Sequence, residues 1–131
     1  MPMLPMTVTP TPANLPAIMA RAPDAVTIVT GGAGFLGSHL CTRLVEEGAR
    51  VIAIDNLSTG NRANVAHLAA TGRFSLIEHD IIMPIEISER VDAIYNLACP
   101  ASPPKYQIDP VHTFRTSIDG AQNMLELAKR K

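Results

Sequence analysis

The chain has 131 residues, 47% of them hydrophobic and 18% charged, with a net charge of −1 at pH 7. That is one domain's length at most, with enough apolar material for a true core. The near-neutral charge excludes a general nucleic-acid or anionic-membrane binder, and no apolar run approaches the ~20 residues of a membrane span.

Residues 1–24 hold six of the eleven prolines and show no helical or strand period. They lack the basic start and apolar stretch of a secretory signal and read as a disordered or extended leader. The pattern changes at Ala25, so residues 25–131 form the folded domain. Ala25-Val26-Thr27-Ile28-Val29-Thr30 is a β-branched run that predicts a strand. Leu36, Leu40 and Leu44 then recur at helical spacing up to Gly48, a helix stop. A second strand, Arg50 to Asp55, is apolar until its last residue. The polar turn Asn56-Leu57-Ser58-Thr59-Gly60 leads to a short helical piece over 62–70. Residues 74–79 and 91–98 predict the third and fourth strands, and 110–130 a last helix with Phe114, Ile118, Ala121, Leu125 and Ala128 on one face. Apolar strands alternating with helices imply an α/β fold, a Rossmann-type doubly wound parallel sheet of about four strands here, covered on both sides.

The chemistry sits at the first strand end. Thr30-Gly31-Gly32-Ala33-Gly34-Phe35-Leu36-Gly37 satisfies GxxGxxG through Gly31, Gly34 and Gly37, between a strand and a helix. Glycines there let the backbone turn tightly beside a pyrophosphate, whose charge the free N–H groups of the helix start favour. Asp55 lies eighteen residues past Gly37, at the end of the second strand. A carboxylate there accepts from both adenosine ribose hydroxyls and repels a 2′-phosphate, which favours NAD over NADP. Asp80-Ile81 follows the third strand and suits either an adenine edge contact or a plain turn. Leu97, Ala98 and Cys99 end the fourth strand, where small residues leave room for the nicotinamide ribose. Cys41 and Cys99 form no CxxC pair and have no clustered histidine, so both read as reduced, packed thiols of a cytoplasmic protein with no metal site.

Residues 100–110 then carry four prolines, inside LACPASPPKYQIDP. They form either a rigid, water-poor wall presenting Ser102, Lys105 and Tyr106, or a stiff connector into the last helix.

TGGAGFLGSHL, VIAIDNLSTG, HDI, NMLELAKR and above all LACPASPPKYQIDP resemble the extended short-chain dehydrogenase/reductases (the NAD-dependent epimerase/dehydratase family). Within them the resemblance is to the UDP-glucuronate decarboxylases, also called UDP-xylose synthases, from about Val26 to Arg130. It implies oxidation of C4 of UDP-glucuronate by NAD, loss of CO2 and re-reduction to UDP-xylose. It further implies NAD contacts at Gly34, Phe35, Leu36, Asp55, Asn56, Ser58, Thr59, Gly60, Asp80, Ile81, Leu97, Cys99 and Thr116. Ile85, Glu86, Arg115 and Asn123 fall at its substrate positions; on physical grounds Arg115 suits an anionic ligand or a solvated helix face equally. Ser58 and Glu86 stand where the family often has aromatics. The resemblance also implies a homodimer for the complete enzyme.

Such enzymes work through a Tyr-x-x-x-Lys pair. Four residues beyond Tyr95 and Tyr106 stand Cys99 and Pro110, so neither supplies it. The expectation is a cofactor-binding N-terminal portion, inactive alone, whose catalytic segment would follow Lys131. The competing readings are a non-catalytic NAD-binding or subunit-interaction protein and a related nucleotide-sugar epimerase or dehydratase.

Overall fold

The structure, a computed structural model, describes residues 22–131; the leader expected over 1–24 lies, up to residue 21, outside them. Its last residues form a turn in which the Ala25 N–H donates to the Ala22 carbonyl at 3.1 Å.

β1 (Val26–Thr30) consists of β-branched residues, all buried. It pairs in parallel with β2 (Arg50–Asp55) on one side and β4 (Ala93–Asn96) on the other, and β2 pairs in parallel with β3 (Phe74–Glu78). The order β3-β2-β1-β4 is that of a doubly wound sheet, with the reversal of strand order falling between β1 and β4. β4 is shorter than the apolar run 91–98 suggests: the Asp92 carboxylate takes the Val26 N–H at 2.9 Å, and past Asn96 the Leu97 amide is shared between the Thr30 carbonyl and Oγ1, at 3.2 and 3.0 Å, while the Ala98 amide goes to Oγ1.

Alternation along β1 and β2 sorts the core into two layers. Val26, Ile28, Ile52 and Ile54 point to one face and pack with Met124 and Leu127 of the last helix. Val29, Val51 and Ala53 point to the other and pack with Cys41, Leu44 and Val45 of α1 (Phe35–Glu46). Of the repeat Leu36, Leu40 and Leu44, the last is buried and Leu40 packs against this layer. Leu36 is 71% exposed at the sheet's carboxyl edge, and Gly37 and Cys41 take its place inside. α1 stops at Gly48, whose φ of +91° permits the paired closing bonds Gly48 N–H to Val45 O and Ala49 N–H to Leu44 O, each 3.0 Å.

The proline segment is not wholly a loop. Pro103 and Pro104 start a one-turn helix, α2 (Pro103–Tyr106), because proline's fixed φ suits the first helical positions. Asp109 caps the next helix, accepting the His112 N–H at 2.9 Å, with Pro110 following. That helix runs as α3 (Pro110–Arg115), a π turn (Thr116–Gly120) and α4 (Ala121–Arg130). At the turn Thr116 Oγ1 and Ser117 Oγ donate to the carbonyls four residues back, at 2.9 and 3.1 Å, and so compete with the backbone ladder. The wider turn keeps Thr116, Gly120 and Met124 on the buried side. Phe114, Ile118 and Leu125, expected on one apolar face with Ala121 and Ala128, are all exposed. Among the described residues no helix is long and apolar enough to cross a membrane.

Candidate functional site

A cleft of about 300 Å³ lies at the carboxyl ends of all the strands, where the strand order reverses. Its volume is at the low end for small-ligand sites. The glycine turn, with Gly31, Gly34 and Gly37, forms one side and leads into Phe35 and Leu36 of α1. No side chain caps α1 and no acidic residue stands in its first turn, so this helix start, which lines the cleft from Gly34 to Gly37, favours an anion.

The turn is held by steric necessity and by hydrogen bonds. Gly31 has φ +68°, and a Cβ there would sit 2.9 Å from the Leu97 carbonyl oxygen. Fully buried Thr30 ties that neighbour down: Oγ1 donates to Asn96 Oδ1 at 2.6 Å and accepts the Leu97 and Ala98 amides at 3.0 and 3.1 Å. β1 and β4 thus leave the sheet as one fixed edge, and the wall Leu97 to Ala101 follows from it.

Asp55 closes the opposite side. Its Oδ2 accepts the Ala33 N–H at 2.9 Å and its Oδ1 the Leu57 N–H at 2.8 Å, which holds Leu57 at a left-handed φ of 58°. An ionised carboxylate has about four acceptor sites, so Asp55 braces two loops and keeps acceptor capacity toward the cleft. Asn56, Ser58 and Thr59 continue this wall. Gly60 does not line the cleft; it lies behind Asp55, where a Cβ would stand 2.9 Å from Oδ2.

Asp80, Ile81 and Thr116 complete the lining with two histidines that the sequence reading passed over, His79 and His112. His112 lies four residues before Thr116, the helical spacing that puts both on one face, and that spacing was the available signal. Burial works to raise the Asp80 pKa, but hydrogen bonds from His112, the Ile82 amide and Asn56 outweigh it and hold the carboxyl below its ordinary 3.8.

The four expected substrate residues stand, like Gly60, outside the cleft. Ile85 packs against the core, Glu86 pairs with Arg130 at 3.2 Å, Arg115 with Asp119 at 2.9 Å, and Asn123 donates to the Ile81 carbonyl at 2.8 Å. Ser102, Lys105 and Tyr106 also lie outside the lining, which takes Pro100 and Ala101 instead. Among the described residues no cluster of three or more His, Cys, Asp or Glu side chains could hold a metal.

Of the two thiols, Cys41 is packed as expected and Cys99 is not: it is exposed at the cleft, 3.2 Å from Ser117 Oγ. Burial pushes the Cys41 thiol up to about 12 against an opposing backbone hydrogen bond, and the Asp55 charge adds to the rise. Alkylation of the native chain is expected to label Cys99 at least about a hundredfold faster than Cys41, with Cys41 reacting once urea is added. Peptide mapping checks this, and equal labelling in buffer would contradict it.

The sequence profile of the NAD dependent epimerase/dehydratase family matches residues 27–131. The chain belongs to that family. Over 103 residues this epimerase/dehydratase chain is 53% identical to UDP-glucuronic acid decarboxylase 1 of Arabidopsis thaliana, which covers 79% of the chain and 23% of that relative. A crystal structure of UDP-galactose 4-epimerase superposes with a TM-score of 0.68 at 31% identity, over 80% of this chain and 34% of that one. The Bordetella bronchiseptica enzyme WbmF, solved in complex with NAD+, gives 0.71 at 25% identity over 82% and 33%. The chain spans about a quarter to a third of the length of the curated relatives it matches.

Proposed function

We propose that the chain holds NAD in the cleft and is the cofactor-binding part of a UDP-glucuronate decarboxylase. The observation that carries the reading is Asp55, braced between the glycine turn and its own turn yet still lining the cleft beside α1. The residues fit the cofactor: the crowded glycine turn leaves backbone where a pyrophosphate approaches, and Asp55 keeps acceptors for ribose hydroxyls. Bound NAD would supply a hydride acceptor at sugar C4 and return the hydride after CO2 leaves. The chain's own residues orient and shield: Asp55 and Ser58 at the ribose side, Asp80 and Ile81 at the adenine, and Leu97 to Ala101 walling the nicotinamide side. Gly31, Gly34, Phe35, Leu36, Gly37, Asn56, Thr59 and Thr116 complete the cofactor set, with Gly60 serving it from behind Asp55.

Decarboxylation, rather than epimerisation, is supported by the likeness to the Arabidopsis decarboxylase. Ile85, Glu86, Arg115 and Asn123 remain our assignment for the sugar nucleotide, with Arg115 exchanging Asp119 for the ligand's anionic groups. The exposed stripe Val111, Phe114, Ile118 and Leu125 is where a second subunit would pack, giving a cytoplasmic homodimer. With no Tyr-x-x-x-Lys in it, the 131-residue polypeptide alone should not turn over. Product analysis tests the reading. The protein in its complete cellular form should convert UDP-glucuronate to UDP-xylose and CO2, and the isolated 131-residue chain should not. A C4-epimer in place of UDP-xylose would move the assignment to an epimerase.

A further inference from the structure

The wall made by Asn56, Asp80, Ile81 and His112 contains a side-chain network whose histidine has none of the roles above. Asp80 Oδ2 accepts from His112 Nε2 at 2.7 Å and from Asn56 Nδ2 at 3.2 Å, while Oδ1 accepts the Ile82 N–H at 3.1 Å. An ionised carboxylate only accepts, so His112 Nε2 carries the proton between them. Three donors on about four acceptor sites leave a single site, on Oδ1, for a ligand. The carboxylate is also fixed from three elements: the turn after β2, its own turn after β3, and α3. His112 is itself fixed, its N–H on the Asp109 cap and its carbonyl taken by Thr116 Oγ1 at 2.9 Å.

We propose that His112 is a positioning residue which, by locking Asp80, makes this end of the cleft select a purine bearing an exocyclic amine over one bearing a carbonyl at the same place. The inference rests on the dinucleotide reading above, which already gives Asp80 to the base; what is added is the part played by His112. Adenine offers an N–H donor on its exocyclic amine and an acceptor at the adjacent ring nitrogen. Hypoxanthine reverses both, with a carbonyl outside and the N–H in the ring. A carboxylate free to turn can follow the donor from one position to the next. Held by the 2.7 Å bond to His112, Asp80 cannot, and the hypoxanthine carbonyl meets a charged acceptor.

The test is calorimetric titration of the 131-residue chain with NAD and with nicotinamide hypoxanthine dinucleotide, in wild type, His112→Ala and His112→Gln, with circular dichroism confirming each fold. The wild type is expected to prefer NAD by about tenfold, the alanine variant by less than about threefold, and the glutamine variant, which keeps an N–H donor, to regain most of the preference. If the alanine variant does not fold, His112→Leu, which fills the space without a donor, carries the same expectation. A variant without the donor that weakens both dinucleotides equally, preserving their ratio, would show a packing role only and overturn the proposal while leaving the NAD reading intact. A folded wild type that binds neither dinucleotide would overturn the NAD reading and this inference with it.

Discussion

Gly37→Ala is expected to disable the cleft and lower stability at once. A Cβ at residue 37 would lie 2.0 Å from the Gly31 carbonyl oxygen and 2.8 Å from both Gly31 C and Gly32 Cα. All of these are backbone atoms, and none is the soft end of a side chain that could swing aside. Relief requires α1 to move away from the glycine turn, yet Cys41 and Leu44 on the same helix are locked into the core against β1 and β2. Overpacking of this kind costs about 1–3 kcal/mol, here toward the upper end because nothing nearby yields. A midpoint lower by about 10–20 °C follows. Shifting the turn by about 1 Å also removes the amides from their positions, so NAD affinity should fall by about a hundredfold. Gly72→Ala is the control: its φ is +68°, but no atom lies within 4 Å of the added methyl, so it should cost only about 1 kcal/mol and leave binding unchanged. Equal effects of the two substitutions on the titration would contradict the account.

Asp55→Asn should separate the two tasks of that carboxylate. Both of its oxygens receive a backbone N–H, from Ala33 and Leu57. An asparagine offers one acceptor oxygen and turns an NH2 group against the other donor, leaving a buried amide unsatisfied in a residue only 7% exposed. The expected cost is about 1–3 kcal/mol. Leu57 then loses the bond that holds it at a positive φ, and the turn carrying Ser58 loosens with it. Loss of an acceptor toward the ribose should weaken NAD by about tenfold or more. Removing the negative charge should also narrow the gap between NAD and NADP, because the repulsion of a 2′-phosphate is gone. Thermal unfolding reads the first effect and paired titrations read the others. A variant that keeps both wild-type affinities would remove Asp55 from the ribose.

How much of this was legible in the sequence depended on the range of the interactions involved. β1, α1 and β2 follow from local patterns: a β-branched run, a helical repeat ending at Gly48, and an apolar run ending in Asp55. The parallel sheet follows from the alternation of strands and helices. The cleft at the glycine turn was legible because its geometry depends on residues adjacent in the chain. β4 was overestimated, since apolar composition at Val91 and Ala98 says nothing about the Asp92 carboxylate and Thr30 Oγ1 taking backbone amides at the two ends of the strand pair. The helical repeat of α1 was legible, and only its first leucine departs from the core, since Leu44 is buried and Leu40 packs against it. A leucine at residue 36 scores as core, and only the position of the helix end shows that this leucine stands at a cleft. The π turn follows from hydroxyl bonds to carbonyls four residues back, which hydrophobic periodicity does not register. His112 was missed because its partner, Asp80, lies 32 residues earlier and the pairing exists only once α3 crosses the end of β3. Cys99 was read as buried from residue type, whereas its place beyond the end of a short strand exposes it.

The most direct test of the central claim is calorimetric titration of the folded 131-residue chain with NAD and with NADP. The account predicts saturable binding of one NAD per chain, with NADP weaker by about tenfold or more because Asp55 would face the 2′ position. A chain with the circular dichroism of a folded α/β domain that shows no saturable heat with NAD, or that takes NADP equally well, would contradict it.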